Sequence, residues 1–113
     1  MPISSIVELV TDEEYKRKVE HSVEPVVVTF LTSLDDKCKI VTSHIGELSD
    51  EYTTIKFYQV DVRKHALLSR TLSNAELPIV TFVKNGREFL TLTSGFSLES
   101  IPEGLQTLQA ASM

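Results

Sequence analysis

VVVTFLTSLDDKCK, residues 26–39, is an apolar run, a short polar turn and the chain's only cysteine, Cys38. The run Val26 to Leu31 reads as a strand buried on both faces, because a strand with one wet face alternates polar and apolar residues. Such a strand belongs in the middle of a sheet. From Cys38 onward, Ile40, Val41, Ile45 and Leu48 recur at helical spacing, followed by Asp50 and Glu51. A helix therefore leaves the strand after a loop of about four or five residues. The order strand, turn, helix puts Leu34, Asp35, Asp36 and Lys37 at a helix start beside Cys38.

Upstream, Ile6 to Val10 reads as a short strand. Thr11-Asp12-Glu13-Glu14 has the form of a capping box, with Glu14 three residues after Thr11, so a helix follows to about Glu20. Lys16-Arg17-Lys18 reads as a solvated helix face, and His21 as a loop residue. Pro25 opens the central strand, where its missing donor matters least.

Downstream, Ile55 to Val60 alternates with a period of two and predicts a strand ended by Asp61. Arg63 to Ser73 carries Ala66, Leu67, Leu68 and Leu72 on a helical pattern, and Ser73 to Glu76 forms a polar loop. Pro78 to Val83 is the next strand. Asn85-Gly86 is a strong hairpin signal, since both residues tolerate positive φ, and it predicts antiparallel pairing with Arg87 to Thr93. Gly95 bends the chain at the end of the sheet. Ser100-Ile101-Pro102-Glu103 reads as the start of a last helix capped by Ser100, with Ile101, Leu105 and Leu108 facing inward. The order β-α-β-α-β-α-β-β-α implies an α/β fold: a mixed central sheet of about five strands with helices on both faces.

At 113 residues the chain reads as a single domain, 1–113. Eleven basic against sixteen acidic residues give a net charge of −5, and the only basic cluster is flanked by glutamates, which argues against nucleic acid as a partner. The longest apolar runs fall far below the roughly 20 residues that span a bilayer. Met1-Pro2-Ile3 lacks the pattern of a signal peptide. The expectation is a soluble, cytoplasmic protein with no membrane partner and no cofactor. One cysteine cannot close an internal disulfide, which agrees with a reducing compartment.

Leu34 to Lys39 resembles the redox motif Trp-Cys-Gly-Pro-Cys-Lys of the thioredoxin family, with Asp35 in place of the first cysteine and Leu34 in place of the tryptophan. The resemblance continues through Val60-Asp61-Val62, Leu77-Pro78, Lys84-Asn85-Gly86 and Gly95, and covers nearly the whole chain. It implies the thioredoxin fold, a cis-proline at Pro78, and a substrate groove. In that groove the backbone at Leu77 pairs with an extended peptide, and Gly95 with its neighbours Ser94 and Phe96 forms a wall. It also implies that Cys38 matches the shielded resolving thiol, and that Thr29 stands where the family has a buried proton-transfer aspartate.

Dithiol exchange needs one thiolate to attack and a second thiol to resolve. Only one thiol is present, and an aspartate cannot replace the other. Asp35 disfavours the Cys38 thiolate, while Lys37, Lys39 and the helix N-terminus favour it. Asp35 and Asp36 read first as helix-capping carboxylates, and Cys38 as a small apolar residue at a helix start. His44 and His65 do not form a metal-binding pattern. The first reading is a thioredoxin-like protein without dithiol activity. It would bind a protein or peptide through Leu34, Asp35, Asp36, Lys37, Leu77, Pro78, Gly95 and Phe96. The alternative is a single-cysteine redox protein in which Cys38 forms a mixed disulfide.

Overall fold

The computed structural model describes residues 6–8, 11–32, 36–64, 77–93 and 95–111. Its elements run β1 (Ile6–Glu8), α1 (Asp12–Tyr15), a π-helical turn (Lys16–Glu20), β2 (Val26–Leu31), α2 (Asp36–Glu51) and β3 (Lys56–Asp61). A 3-10 turn (Val62–Lys64), β4 (Ile79–Lys84), β5 (Arg87–Leu92) and α3 (Ser100–Ala111) follow. The helix expected over Arg63 to Ser73 lies, beyond Lys64, outside the described residues.

Six consecutive apolar or β-branched residues put β2 in the centre of a five-stranded sheet of order β1-β3-β2-β4-β5. Its neighbours cover both edges: β3 runs parallel, with Val27 beside Phe57, and β4 antiparallel, with Val27 opposite Phe82. β1 is a three-residue edge strand parallel to β3. At the other edge β4 turns into β5 through Asn85 (φ 52°) and Gly86 (φ 75°), the left-handed pair that a two-residue hairpin requires. Val83 pairs with Glu88 and Phe82 with Leu90, so Phe89 is an extra residue and β5 is bulged there.

Alternation along the strands divides the core. Val27, Phe57, Val80 and Phe82 face Val41, Ile45 and Leu48 of α2 and Ile101, Leu105 and Leu108 of α3. Val26, Val28, Val60 and Val83 face the other way, onto Val19 of the π-helical turn, with Tyr15 and Phe30 packed alongside. Helices thus cover both faces of a mixed sheet. A third, smaller cluster, Leu31, Cys38, Val62 and Leu77, closes the core where β2 ends and α2 begins.

The capping box forms: Glu14 N–H donates to Thr11 Oγ1 at 3.1 Å, and Thr11 N–H donates to Glu14 Oε1 at 3.2 Å. The helix it starts reaches Glu20 but changes character at Lys16, where His21 N–H bonds to the Lys16 carbonyl at 2.9 Å, five residues back. Two expectations are corrected. Ile40 is 56% exposed, so it falls outside the buried stripe of α2, which is Cys38, Val41, Ile45 and Leu48 with Ser49. Ser100 lies within α3, and Ser97 closes the lead-in turn, its carbonyl accepting from Ser100 N–H at 2.9 Å and its hydroxyl from Glu99 N–H at 3.3 Å.

Candidate functional site

The first turn of α2 sits at the C-terminal end of the central strand, the edge of the sheet where an open α/β fold leaves a crevice. Asp36 opens the helix with its side chain 96% exposed, and its carboxylate approaches Lys39 Nζ at 4.0 Å. At that exposure the pair contributes little, and Asp36 acts mainly as a negative charge beside the positive end of the helix. Lys37 is exposed, and Cys38, one residue on, turns inward and is 2% exposed. Leu34 and Asp35 lie outside the described residues.

Cys38 Sγ accepts the backbone N–H of Thr32 at 3.5 Å, joining the helix to the end of β2. Leu77 packs against the same sulfur-containing cluster, and the Leu77–Pro78 peptide bond is cis. Thr29 is 3% exposed between Gln59 of β3 and Val80 of β4. Asp61, at the end of β3, is buried and accepts Arg63 N–H at 3.0 Å, so its carboxylate shapes the turn that follows.

Lys37, Leu77, Pro78, Gly95 and Phe96 come together around one groove of about 250 Å³. Sequence reasoning missed three of its walls: Ile40, Val41 and Leu98. Leu98 is 39% exposed and faces the groove together with Ile40. The signal for Ile40 was available, because a residue beside the inward stripe of a helix falls on its boundary. For Leu98 there was none, since its position depends on the turn made by Ser97. Gly95, at φ 87°, turns the chain into this wall. A furrow on the far side of the Ile40–Leu98 ridge is bordered by His44 and Glu47. Another, of about 470 Å³, is lined by Leu31, Thr32, Cys38, Lys39, Thr42 and Gln59 among others, so it reaches the buried Cys38 residue.

A mixed sheet of this strand order, with a cysteine in the first turn of the helix that follows the central strand and packed in one cluster with the leucine of a cis Leu-Pro bond, defines a thioredoxin fold. The comparisons agree. The thioredoxin family model matches residues 6–107, and the chain belongs to the thioredoxin family. Thioredoxin Asp f 28 of Aspergillus fumigatus is 28% identical over 86 residues, 76% of this chain and 80% of that protein. Among solved structures, the oxidised thioredoxin O2 of Arabidopsis thaliana superposes with a TM-score of 0.77 at 23% identity, covering 93% of this chain and 95% of the other. The thioredoxin of Malassezia sympodialis gives 0.79 at 21% identity, covering 95% and 93%. Among the described residues no helix is long and apolar enough to cross a membrane.

Proposed function

We propose that this thioredoxin-family chain is a protein-binding or regulatory module that uses the groove around Leu77-Pro78 without dithiol exchange. One observation carries the reading: the groove is present, walled by Lys37, Ile40, Pro78, Phe96 and Leu98, while the only thiol lies 2% exposed. A resolving thiol is useful only after a nucleophilic one has attacked, and Asp35 has no sulfur to offer. An extended segment of a partner protein would lie along the backbone at Leu77, with an apolar side chain against Ile40, Phe96 and Leu98. The reading treats residues 1–113 as one domain and places it in the cytoplasm, in keeping with a chain that has one cysteine.

The test has two arms. With a saturating recycling reductase, insulin disulfides should be reduced no faster than background. Selection from a random peptide library should yield apolar, extended sequences whose binding is lost in Phe96→Glu and Leu98→Glu proteins that keep the wild-type circular dichroism. Turnover that Cys38→Ser abolishes, or peptide binding indifferent to both groove variants, would overturn the proposal.

A second reading is favoured by the furrow that reaches Cys38. In it the Cys38 thiolate attacks one sulfur of a glutathione disulfide; a mixed disulfide forms, the original S–S bond breaks, and one glutathione thiolate leaves. An external thiol then attacks the glutathione sulfur and restores Cys38. A mass increase of one glutathione on the folded protein, absent in Cys38→Ser, is its signature.

A further inference from the structure

A cavity of about 600 Å³ lies at the far end of α2 from the groove, between the π-helical turn, the last turn of α2 and the first residues of β3. Cys38 and Asp50 are twelve residues apart on one helix, so this cavity is roughly 18 Å from the thiol along the helix axis at 1.5 Å per residue. It is a separate place in the molecule.

Its composition is that of a small-molecule site, an apolar floor with a few polar groups above it. Ile55 and Phe57 form the floor and are 3% and 2% exposed. Lys18, Lys56, Asp50 and Tyr58 stand around it. Among the described residues neither lysine has an ion-pair partner within 4.0 Å, and neither has Asp50. Two ammonium groups therefore border one cavity, with the Asp50 carboxylate at its rim and Glu24 on the Tyr58 side. Burial, and secondarily the Glu24 carboxylate, push the Tyr58 phenol above its ordinary value, so near neutrality it remains an O–H donor.

Lys18 reaches this place because of the π-helical turn. A wider turn advances fewer degrees per residue than an α-helix, so Lys18 stays nearer the inward direction of its neighbour Val19, while Lys16 and Arg17 remain exposed. Of the basic triplet, one member is therefore turned toward the cavity and is only partly exposed.

We infer that this cavity binds a small organic anion, a carboxylate or phosphate monoester on an apolar ring or chain, with the anionic group between Lys18 and Lys56 and the apolar body on Ile55 and Phe57. Charge-assisted hydrogen bonds from the two ammonium groups fix the head. Contact with the floor separates such a ligand from free phosphate.

The probe is phenyl phosphate, followed by amide chemical-shift changes in the full-length protein, with inorganic phosphate as the second arm. Saturable shifts are expected at Lys18 and across 53–58, with affinity at least tenfold weaker for inorganic phosphate. The Lys18→Gln/Lys56→Gln protein should bind phenyl phosphate at least tenfold more weakly, and Lys37→Gln should bind as wild type. Both variants alter only lysine side chains and leave the apolar floor unchanged, and the unliganded spectrum verifies their fold. Absent or unsaturable shifts, shifts centred on 37–41 and 95–98, equal affinity for inorganic phosphate, or a double variant that binds as wild type would each overturn the inference.

Discussion

The backbone N–H of Thr32, the residue that follows the central strand, donates to the sulfur of Cys38 at 3.5 Å. The contact holds the thiol against Leu31, Val62 and Leu77 and directs it away from the groove that its own helix borders. A sulfur held this way behaves as part of the core until the helix start opens. Native-state alkylation of Cys38 by iodoacetamide is therefore expected to be at least about tenfold slower than in the urea-unfolded chain. Equal rates would show that the sulfur is open to solvent and would favour the single-cysteine redox reading.

Gly104 lies on α3 against Phe82, and a methyl group placed on it would sit 2.7 Å from the ring's Cζ and 2.9 Å from Cε2. In an open helix Gly→Ala stabilises by about 1 kcal/mol. Here Phe82 is fully buried and cannot swing away. Overpacking should win, and Gly104→Ala is expected to destabilise by about 1–2 kcal/mol in urea unfolding. Adding Phe82→Leu should cost less than its effect in the wild-type background, a coupling that a double-mutant cycle measures.

The fold was legible where one local signal settled the matter. Val26 to Leu31 could be only a central strand, Thr11 and Glu14 only a helix start, and Asn85-Gly86 only a tight hairpin. The candidate site was legible in outline, because Lys37, Leu77, Pro78, Gly95 and Phe96 do meet at one groove. What escaped depended on geometry that sequence period does not encode. The turn at Ser97 places Leu98, the bulge at Phe89 resets the facing of β5, and the π-helical turn reorients Lys18. None of these changes the pattern of apolar residues, so none leaves a trace in it.

Two glycines with positive φ separate backbone conformation from contact. Gly95, at φ 87°, has open space where a side chain would begin, so Gly95→Ala should cost only the left-handed conformation, about 1–2 kcal/mol. Gly86, at φ 75°, would place its new carbon 2.2 Å from the carbonyl oxygen of Glu20, a backbone atom at the end of the π-helical turn. Gly86→Ala therefore pays the same conformational cost and must also displace the hairpin from that turn. Chemical denaturation should show Gly86→Ala to be the less stable of the two; the reverse order would mean the hairpin does not rest on Glu20.

Tyr15 supplies the pH prediction. Its ring lies 6.1 Å from that of Phe30, and burial, then the carboxylates of Glu20 and Glu88, raise the phenol above its ordinary value. The raised value means that the folded state holds its proton more tightly than the unfolded chain does. The associated stability is fully present below the unfolded value of about 10 and is lost as pH climbs through the folded one. Stability should therefore fall on the alkaline side of about pH 10, partly through Tyr15 and partly through Tyr58, which is shifted the same way. Tyr15→Phe keeps the ring against Phe30 and removes the ionisation, so its urea midpoint relative to wild type should rise between about pH 9 and pH 11. Lysine titration is common to both proteins and cancels in the difference. A difference that stays flat across this range would mean that Tyr15 ionises as freely in the folded protein as in the unfolded chain.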